Sequence, residues 1–342
     1  MRRAMISKHA ARRNAVALFA ALWCFGAAAA ETVKIGVSRL ASCAPIAIAI
    51  DKGYFTAEGI TPDLVYFDAQ QPIAIAVVSG DADFGIAAET AALYSLAGQG
   101  SLRIIAAGAS EAPTFHYLGI LVSNHAYDAG LRSPRDLGGH TFALTQMGTG
   151  LQYSLGLLSE KYGFDIKTVQ LLPLQSNANI ASALAGGRAD SAIFSSTGAL
   201  PLIERGDAKV LGWIGDETGI DQAYLLFTGT KTADERHDTV EHVLRAVRKA
   251  ARDYHAAFTD SSGQRKDGPT APAILAIIAK YLSQPVERVK QGLPYFDRDL
   301  RVDAKDVQHQ IAWYKSQGLL KGDMTADSLI DKRYAVPMPE KK

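Results

Sequence analysis

The chain has 342 residues, with 36 Lys and Arg against 35 Asp and Glu, a net charge of +1, and 48% apolar residues. So even a balance offers no basic face for nucleic acid and no polybasic patch for a membrane surface, while the apolar share can fill a large core. The length exceeds that of a usual single domain, so two lobes are expected.

Residues 1–30 read as an export leader. Arg2, Arg3, Lys8, Arg12 and Arg13 form a basic start, and Ala15 to Phe25 is an apolar stretch too short to span a bilayer comfortably. Ala28-Ala29-Ala30 supplies a small-residue cleavage pattern before Glu31. Loss of the leader leaves 31 basic residues against 35 acidic, a charge of −4. Cys24 is expected to leave with it, because a lipidated cysteine needs a small residue just before it and Trp23 is large. Cys43 then stands alone, so no intrachain disulfide can form. A leader, a lone thiol and no later apolar run of spanning length predict a soluble periplasmic protein with no direct membrane insertion.

Strand and helix signals then alternate. Val33–Val37 reads as a strand, Ala44–Lys52 as a helix stopped by Gly53, and Leu64–Phe67 as a second strand. A helix over Pro72–Ser79 stops at Gly80, and Phe84–Ala87, Ala91–Ala97 and Arg103–Ala107 follow as strand, helix and strand. Tyr117–Val122 is an apolar run leading to the second lobe. Ser133-Pro134 caps a short helix. Strands are predicted at Thr141–Leu144, Val169–Leu172, Ala192–Phe194 and Val210–Trp213, and helices at Gln152–Tyr162, Ile180–Ala185 and Leu200–Glu204. Ala223–Thr228 leads back.

Beyond residue 228 the pattern is helical. Val240, Val243, Leu244, Val247, Ala251, Tyr254 and Phe258 recur at three and four. Ala273–Leu282 (with Thr270 as cap), Pro285–Gly292, Asp303–Gln317 (with Gly318 past its end) and Thr325–Tyr334 are further helices, and Asp260–Gly268 reads as an exposed, mobile loop. This helical tail is expected to pack on the first lobe.

Residues 34–105 and 141–211 carry one strand–helix pattern twice, at an offset of about 107. Lys52-Gly53-Tyr54-Phe55 answers to Glu160-Lys161-Tyr162-Gly163, and Ser79-Gly80-Asp81-Ala82-Asp83 to Gly186-Gly187-Arg188-Ala189-Asp190. The alternation implies two parallel sheets built from right-handed βαβ units. The boundaries expected are 31–118 for the first part of lobe one, 119–224 for lobe two, and 225–342 for the return to lobe one and the C-terminal helices.

Pro45-Ile46-Ala47-Ile48-Ala49-Ile50-Asp51-Lys52-Gly53-Tyr54-Phe55, followed by Glu58-Gly59-Ile60, resembles the opening helix of substrate-binding proteins for sulfonate, nitrate and taurine ABC transporters. That family is shared with thiamine-precursor-binding proteins. Gly80-Asp81-Ala82-Asp83-Phe84-Gly85 is similar to the family's entry to its third strand, Leu131–Gly139 to the stretch entering lobe two, and Asp327-Ser328-Leu329-Ile330-Asp331 to its C-terminal signature. The resemblance spans nearly the whole mature chain. It implies an α/β, type II periplasmic binding protein fold, with two lobes, a ligand cleft between them and a C-terminal helical extension. It also implies a small-molecule ligand, an ABC permease and ATPase as partners, no cofactor, and a monomer. Where many members carry a Trp-x-Pro stretch, this chain has Ser195-Ser196-Thr197-Gly198-Ala199-Leu200-Pro201.

Ligands bind such sheets beyond the C-terminal ends of the strands. That places four loops at the cleft: Ser38 to Ser42, Ala88 to Thr90, Gln146 to Gly150, and Ser195 to Thr197. Each precedes a helix, whose free N–H groups and positive dipole end favour an anion. Gly148 and Gly150 allow close backbone approach. Ser42, Thr149, Ser195, Ser196 and Thr197 can donate hydroxyls. Arg39, the lone basic residue of these loops, suits a bidentate grip on a carboxylate or sulfonate; its bland reading is an exposed arginine or an ion pair with Glu89. Glu89 orients Arg39, receives an amine, or is merely a solvated helix-start carboxylate. The candidate ligand-binding residues are therefore Ser38, Arg39, Ser42, Glu89, Thr90, Gln146, Gly148, Thr149, Gly150, Tyr153, Ser195, Ser196 and Thr197. Tyr153 is the preferred stacking ring over Tyr66, Phe67, Phe115, Phe194 and Trp213, and His116 is assigned to the hinge surface.

No catalytic or metal constellation is visible. There is no HExxH, CxxC or Cys–His arrangement, and the Cys- and His-rich motif of pyrimidine-forming relatives is missing. The expected function is capture of a small organic anion, aromatic or not, for an ABC importer. The alternatives are a binder of a neutral heterocycle such as a thiamine-precursor pyrimidine, or a periplasmic enzyme or signalling receptor on the same lobes.

Overall fold

The computed structural model describes residues 30–339. The expected leader, apart from Ala30, and its Cys24 lie outside them. Twelve strands occur in chain order: β1 (Glu31–Val37), β2 (Ile60–Tyr66), β3 (Phe84–Ala88), β4 (Leu102–Ala107), β5 (Ser110–Glu111), β6 (Leu118–Ser123), β7 (Thr141–Leu144), β8 (Gln170–Pro173), β9 (Ser191–Ser195), β10 (Ala208–Trp213), β11 (Asp221–Gln222) and β12 (Tyr224–Gly229).

They form two five-stranded sheets and a small ribbon. The first sheet has the order β2-β1-β3-β12-β4, the second β10-β6-β9-β7-β8, and β5 pairs with β11. The sequence repeat is thus a repeat of topology, since β8-β7-β9-β6-β10 matches β2-β1-β3-β12-β4 strand for strand. The expectation of purely parallel sheets needs correction. β12 runs antiparallel to β3 and β4, and β6 runs antiparallel to β9 and β10. These are the two apolar runs read as crossovers. Each has crossed from one lobe and inserts in the sheet of the other, so it arrives against the direction of the strands built by βαβ units. Buried on both faces, such strands are apolar throughout; every residue of β6 is buried.

Helices cover both sheets. The amphipathic helix His237–Phe258 buries all seven residues of its predicted stripe, and its Val, Leu and Phe members each contribute roughly 1.5–3 kcal/mol by leaving water. Gly318 follows the helix Ala304–Ser316 with φ of 70°, as read from the sequence. Thr270 sits at a cap position but makes no side-chain capping bond. The predicted helix over Thr325–Tyr334 shrinks to one turn, Ala326–Leu329, because Ile330 bridges to Ile104 of β4. The loop 260–268 is tied in place: Asp260 Oδ1 accepts from the backbone of Ser262 and Gln264, and Arg265 N–H donates to Thr114 Oγ1 at 2.9 Å.

The helical tail is not confined to the first lobe. Tyr153 of the lobe-two helix Gly150–Tyr162 meets His309 Nδ1 at 2.7 Å and packs edge-on to Trp313 at 5.5 Å, both from helix Ala304–Ser316. Gly156 lets Trp313 in, since a methyl group there would overlap the indole. Farther along, Ser196 donates to the Gly292 carbonyl at 2.9 Å.

Candidate ligand-binding site

A cavity of about 540 Å³ opens between the two large sheets. Its walls follow the strand-end rule: the loops after β1, β2 and β3 lie on one side and those after β7, β8 and β9 on the other. Nine of the thirteen candidate residues line it: Ser38, Arg39, Glu89, Thr90, Gln146, Thr149, Gly150, Tyr153 and Ser195.

The other four lie behind the wall. Ser42 is fully buried, and its hydroxyl has no partner. Gly148 has φ of 77°, takes the Ala91 N–H on its carbonyl, and holds the loop against lobe one rather than against a ligand. Ser196 is spent on Gly292. Thr197 sits one step back, 3.3 Å from the Ser195 hydroxyl.

The helix starts are also less available to an anion than expected. At Ala91–Gly98, Thr90 Oγ1 takes the Leu93 N–H and Gly148 takes that of Ala91. At Ser196–Glu204 the first N–H goes to the Tyr117 carbonyl. Thr149, by contrast, makes no side-chain cap, and its hydroxyl is unpartnered.

Arg39 stands at the mouth. It is exposed, its guanidinium lies 3.9 Å from the centre of the Tyr66 ring, and one nitrogen donates to the Tyr281 carbonyl at 3.4 Å. It makes no ion pair with Glu89. That carboxyl is 1% exposed and is gripped by the Tyr94 hydroxyl and by Gln222 Nε2, the latter at 2.7 Å. Burial, reinforced by Asp306, pushes the Glu89 carboxyl well up. Tyr153 is a wall rather than a free stacking ring, held between His309, Trp313 and Tyr314. His116 lies outside the cavity, between β5 and β6, stacked on Trp213 at 5.0 Å with Nε2 2.9 Å from Asp216. Phe115 is buried in the core.

Several lining residues escaped the sequence reading. The loop after β2 contributes Asp68, Gln70 and Gln71, and its counterpart after β8 contributes Gln175, Ser176 and Asn177. The strand-end rule and the repeat could have found both. Gln70 also orders the wall, accepting from Ala88 N–H and donating to Ser38, each at 3.2 Å. Asp221 and Gln222 come from β11, and Gln310 from the tail helix. No local pattern announces these.

The class defined by this topology and cleft is the periplasmic binding protein fold, seen in three solved structures of low identity. The ligand-binding component of an ABC-type import system from Staphylococcus aureus, with zinc bound, superposes with a TM-score of 0.70 at 14% identity, over 89% of this chain and 97% of that one. The alkanesulfonate-binding protein SsuA from Xanthomonas axonopodis pv. citri, bound to MOPS, gives 0.66 at 19%, over 88% and 98%. The periplasmic nitrate-binding protein NrtA from Synechocystis gives 0.65 at 14%, over 87% and 84%. No curated protein matches the sequence. The family model described as NMT1/THI5 like matches residues 41–257, and the chain belongs to that family. Among the described residues no helix is long and apolar enough to cross a membrane.

Proposed function

We propose that the chain is the solute receptor of an ABC importer. It takes a small organic solute into the cavity between its sheets, closes over it, and presents it to a permease driven by an ATPase. The observation that carries this reading is that both lobes supply the cavity wall, Ser38, Gln70 and Glu89 from one, Gln146, Thr149 and Ser195 from the other. A solute touching both walls stabilises the closed arrangement over any open one, which couples capture to a shape the permease can read. A cavity of about 540 Å³ suits a small molecule with an apolar body and a few polar anchors.

An enzyme on these lobes has less support. Cys43, the one thiol among the described residues, is fully buried, does not line the cavity, and is pushed up by burial, away from the thiolate a nucleophile needs. A small organic anion, the solute first expected, would meet Arg39 only at the mouth.

Saturating solute should lower the radius of gyration in small-angle scattering. If calorimetry shows the solute bound and the radius does not move, the closing-receptor reading fails. Export through the leader is part of the same proposal: the mature protein should begin within a few residues of Glu31 and carry no lipid. Recovery of a lipid-modified Cys24 by N-terminal sequencing and mass spectrometry would reverse that reading.

A further inference from the structure

The cavity's inner end is acidic. Asp221 and Glu89 both line it, at 6% and 1% exposed, and no Lys or Arg joins them there; Arg39 stays at the mouth. The two carboxyls differ in one respect. Both Glu89 oxygens already have donors, Tyr94 and Gln222. Asp221 has no hydrogen-bond donor for its carboxyl among the described residues, although it faces the cavity. Its oxygens open onto the cavity, where a ligand that brings a donor can pair with them.

The groups around Asp221 sharpen the choice of ligand. Glu111 faces it from β5 across the ribbon, and Glu89 from the loop after β3. Asp306 lies at the start of helix Ala304–Ser316, with Asp303 at its cap. Tyr153 approaches from helix Gly150–Tyr162, and Tyr314 from farther along the tail helix. The cationic candidate His309 is turned to Tyr153 and Glu160. Burial and these carboxyls push Asp221 well up. The acids do not form a metal cage, since no group of three or more His, Cys, Asp or Glu among the described residues converges to hold a metal ion. Phe67, Phe194 and Tyr224 also line the cavity, and such rings suit an organic cation.

We propose that the solute carries a cationic nitrogen, an ammonium or amidinium group, and that Asp221 receives it at the inner end of the cavity. The proposal rests on the receptor reading for its site. It replaces the expected anion with the opposite charge. Asp221 ionises as the solute binds, so binding releases a proton and strengthens as the pH rises. A neutral Asp221 donating to an oxyanion would show the reverse trend.

The test uses three matched sets of probes, each an amine, an alcohol and a carboxylate on one body: benzylamine, benzyl alcohol and benzoate; phenethylamine, phenylethanol and phenylacetate; tryptamine, tryptophol and indole-3-acetate. Thermal shift and calorimetry on the mature chain should show the amine favoured in at least one set. Asp221→Asn, which keeps shape and removes charge, should weaken that amine by about thirtyfold or more, as expected for loss of one partner of a buried charge pair. The alcohol should be little changed. Calorimetry in buffers of different ionisation heat should show a proton released. Preference for a carboxylate, an amine affinity unmoved by Asp221→Asn, affinity that falls with rising pH, or no amine bound in any set overturns the proposal. A carboxylate that binds and contracts the chain would leave the receptor reading standing. An amine that binds without contraction would sink that reading and spare this one.

Discussion

Between about pH 5 and about pH 8 the folded protein should lose stability as the pH rises, and Glu111→Gln should make that slope measurably shallower. Glu111 lies in the hinge ribbon, fully buried, with the Leu118 N–H at 3.4 Å from one oxygen and nothing on the other. Burial pushes it up to about 8 from the ordinary carboxylate value. The folded state therefore keeps its proton at pH values where the unfolded chain has released it. The stability this contributes is fully present below the unfolded value and is lost as the pH climbs through about 8. A shift of that size corresponds to on the order of 3–5 kcal/mol. Asp306, raised to about 6, and the more strongly raised Glu89 and Asp221 act in the same direction. Asp297 and Asp331, held low with Arg301 and Arg333 as partners, matter only on the acid side, below the usual carboxylate range. Denaturant titrations at pH 5, 6, 7 and 8 on parent and variant decide the matter. Parallel pH profiles would show that Glu111 is not the group responsible.

Gly215→Ala should be the most damaging single methyl addition at the hinge. Gly215 begins the turn of helix Ile214–Thr218 directly against the backbone of Ala112, and an added methyl would overlap the Ala112 carbonyl. Backbone on both sides cannot rotate away as a side chain would, so the cost should reach about 3 kcal/mol or more, the upper range of overpacking. Gly229→Ala is the matched control, since its nearest new neighbour lies at an ordinary 3.6 Å. It should stay within about 1 kcal/mol of the parent. Equal melting temperatures for the two variants would mean that the hinge yields to the methyl group.

The regular parts of the fold were legible because each signal is local. The stripe from Val240 to Phe258, the stops at Gly80 and Gly318, and the capped turn at Ser133 all depend on neighbours within a few residues. The repeat extended that reading to topology. The direction of β6 and β12 was not legible, because an apolar run carries no mark of the strand it will lie against. The ribbon of β5 and β11 is two residues on each side, too short for any period. The site divides along the same line. Ser38, Thr149 and Ser195 were reachable from strand ends, whereas Asp221, Gln222 and Gln310 meet only because a tail helix returns across the hinge. Arg39 shows the limit of residue type as a guide: the charge was visible in the sequence, and its stacking on Tyr66 at the mouth was not.

The exchanged strands set the order in which the two sheets can be completed as the chain emerges N-terminal end first. All five strands of the second sheet lie within residues 118–213, so that sheet can close as soon as β10 has emerged. The first sheet cannot. Its β3 and β4 are made early but flank a gap that only β12, at residues 224–229, can fill. The half of the protein synthesised first is therefore the half completed last. Until β12 arrives, β3 and β4 present two unpaired strand edges, the kind of surface on which incompletely folded chains aggregate or recruit chaperones.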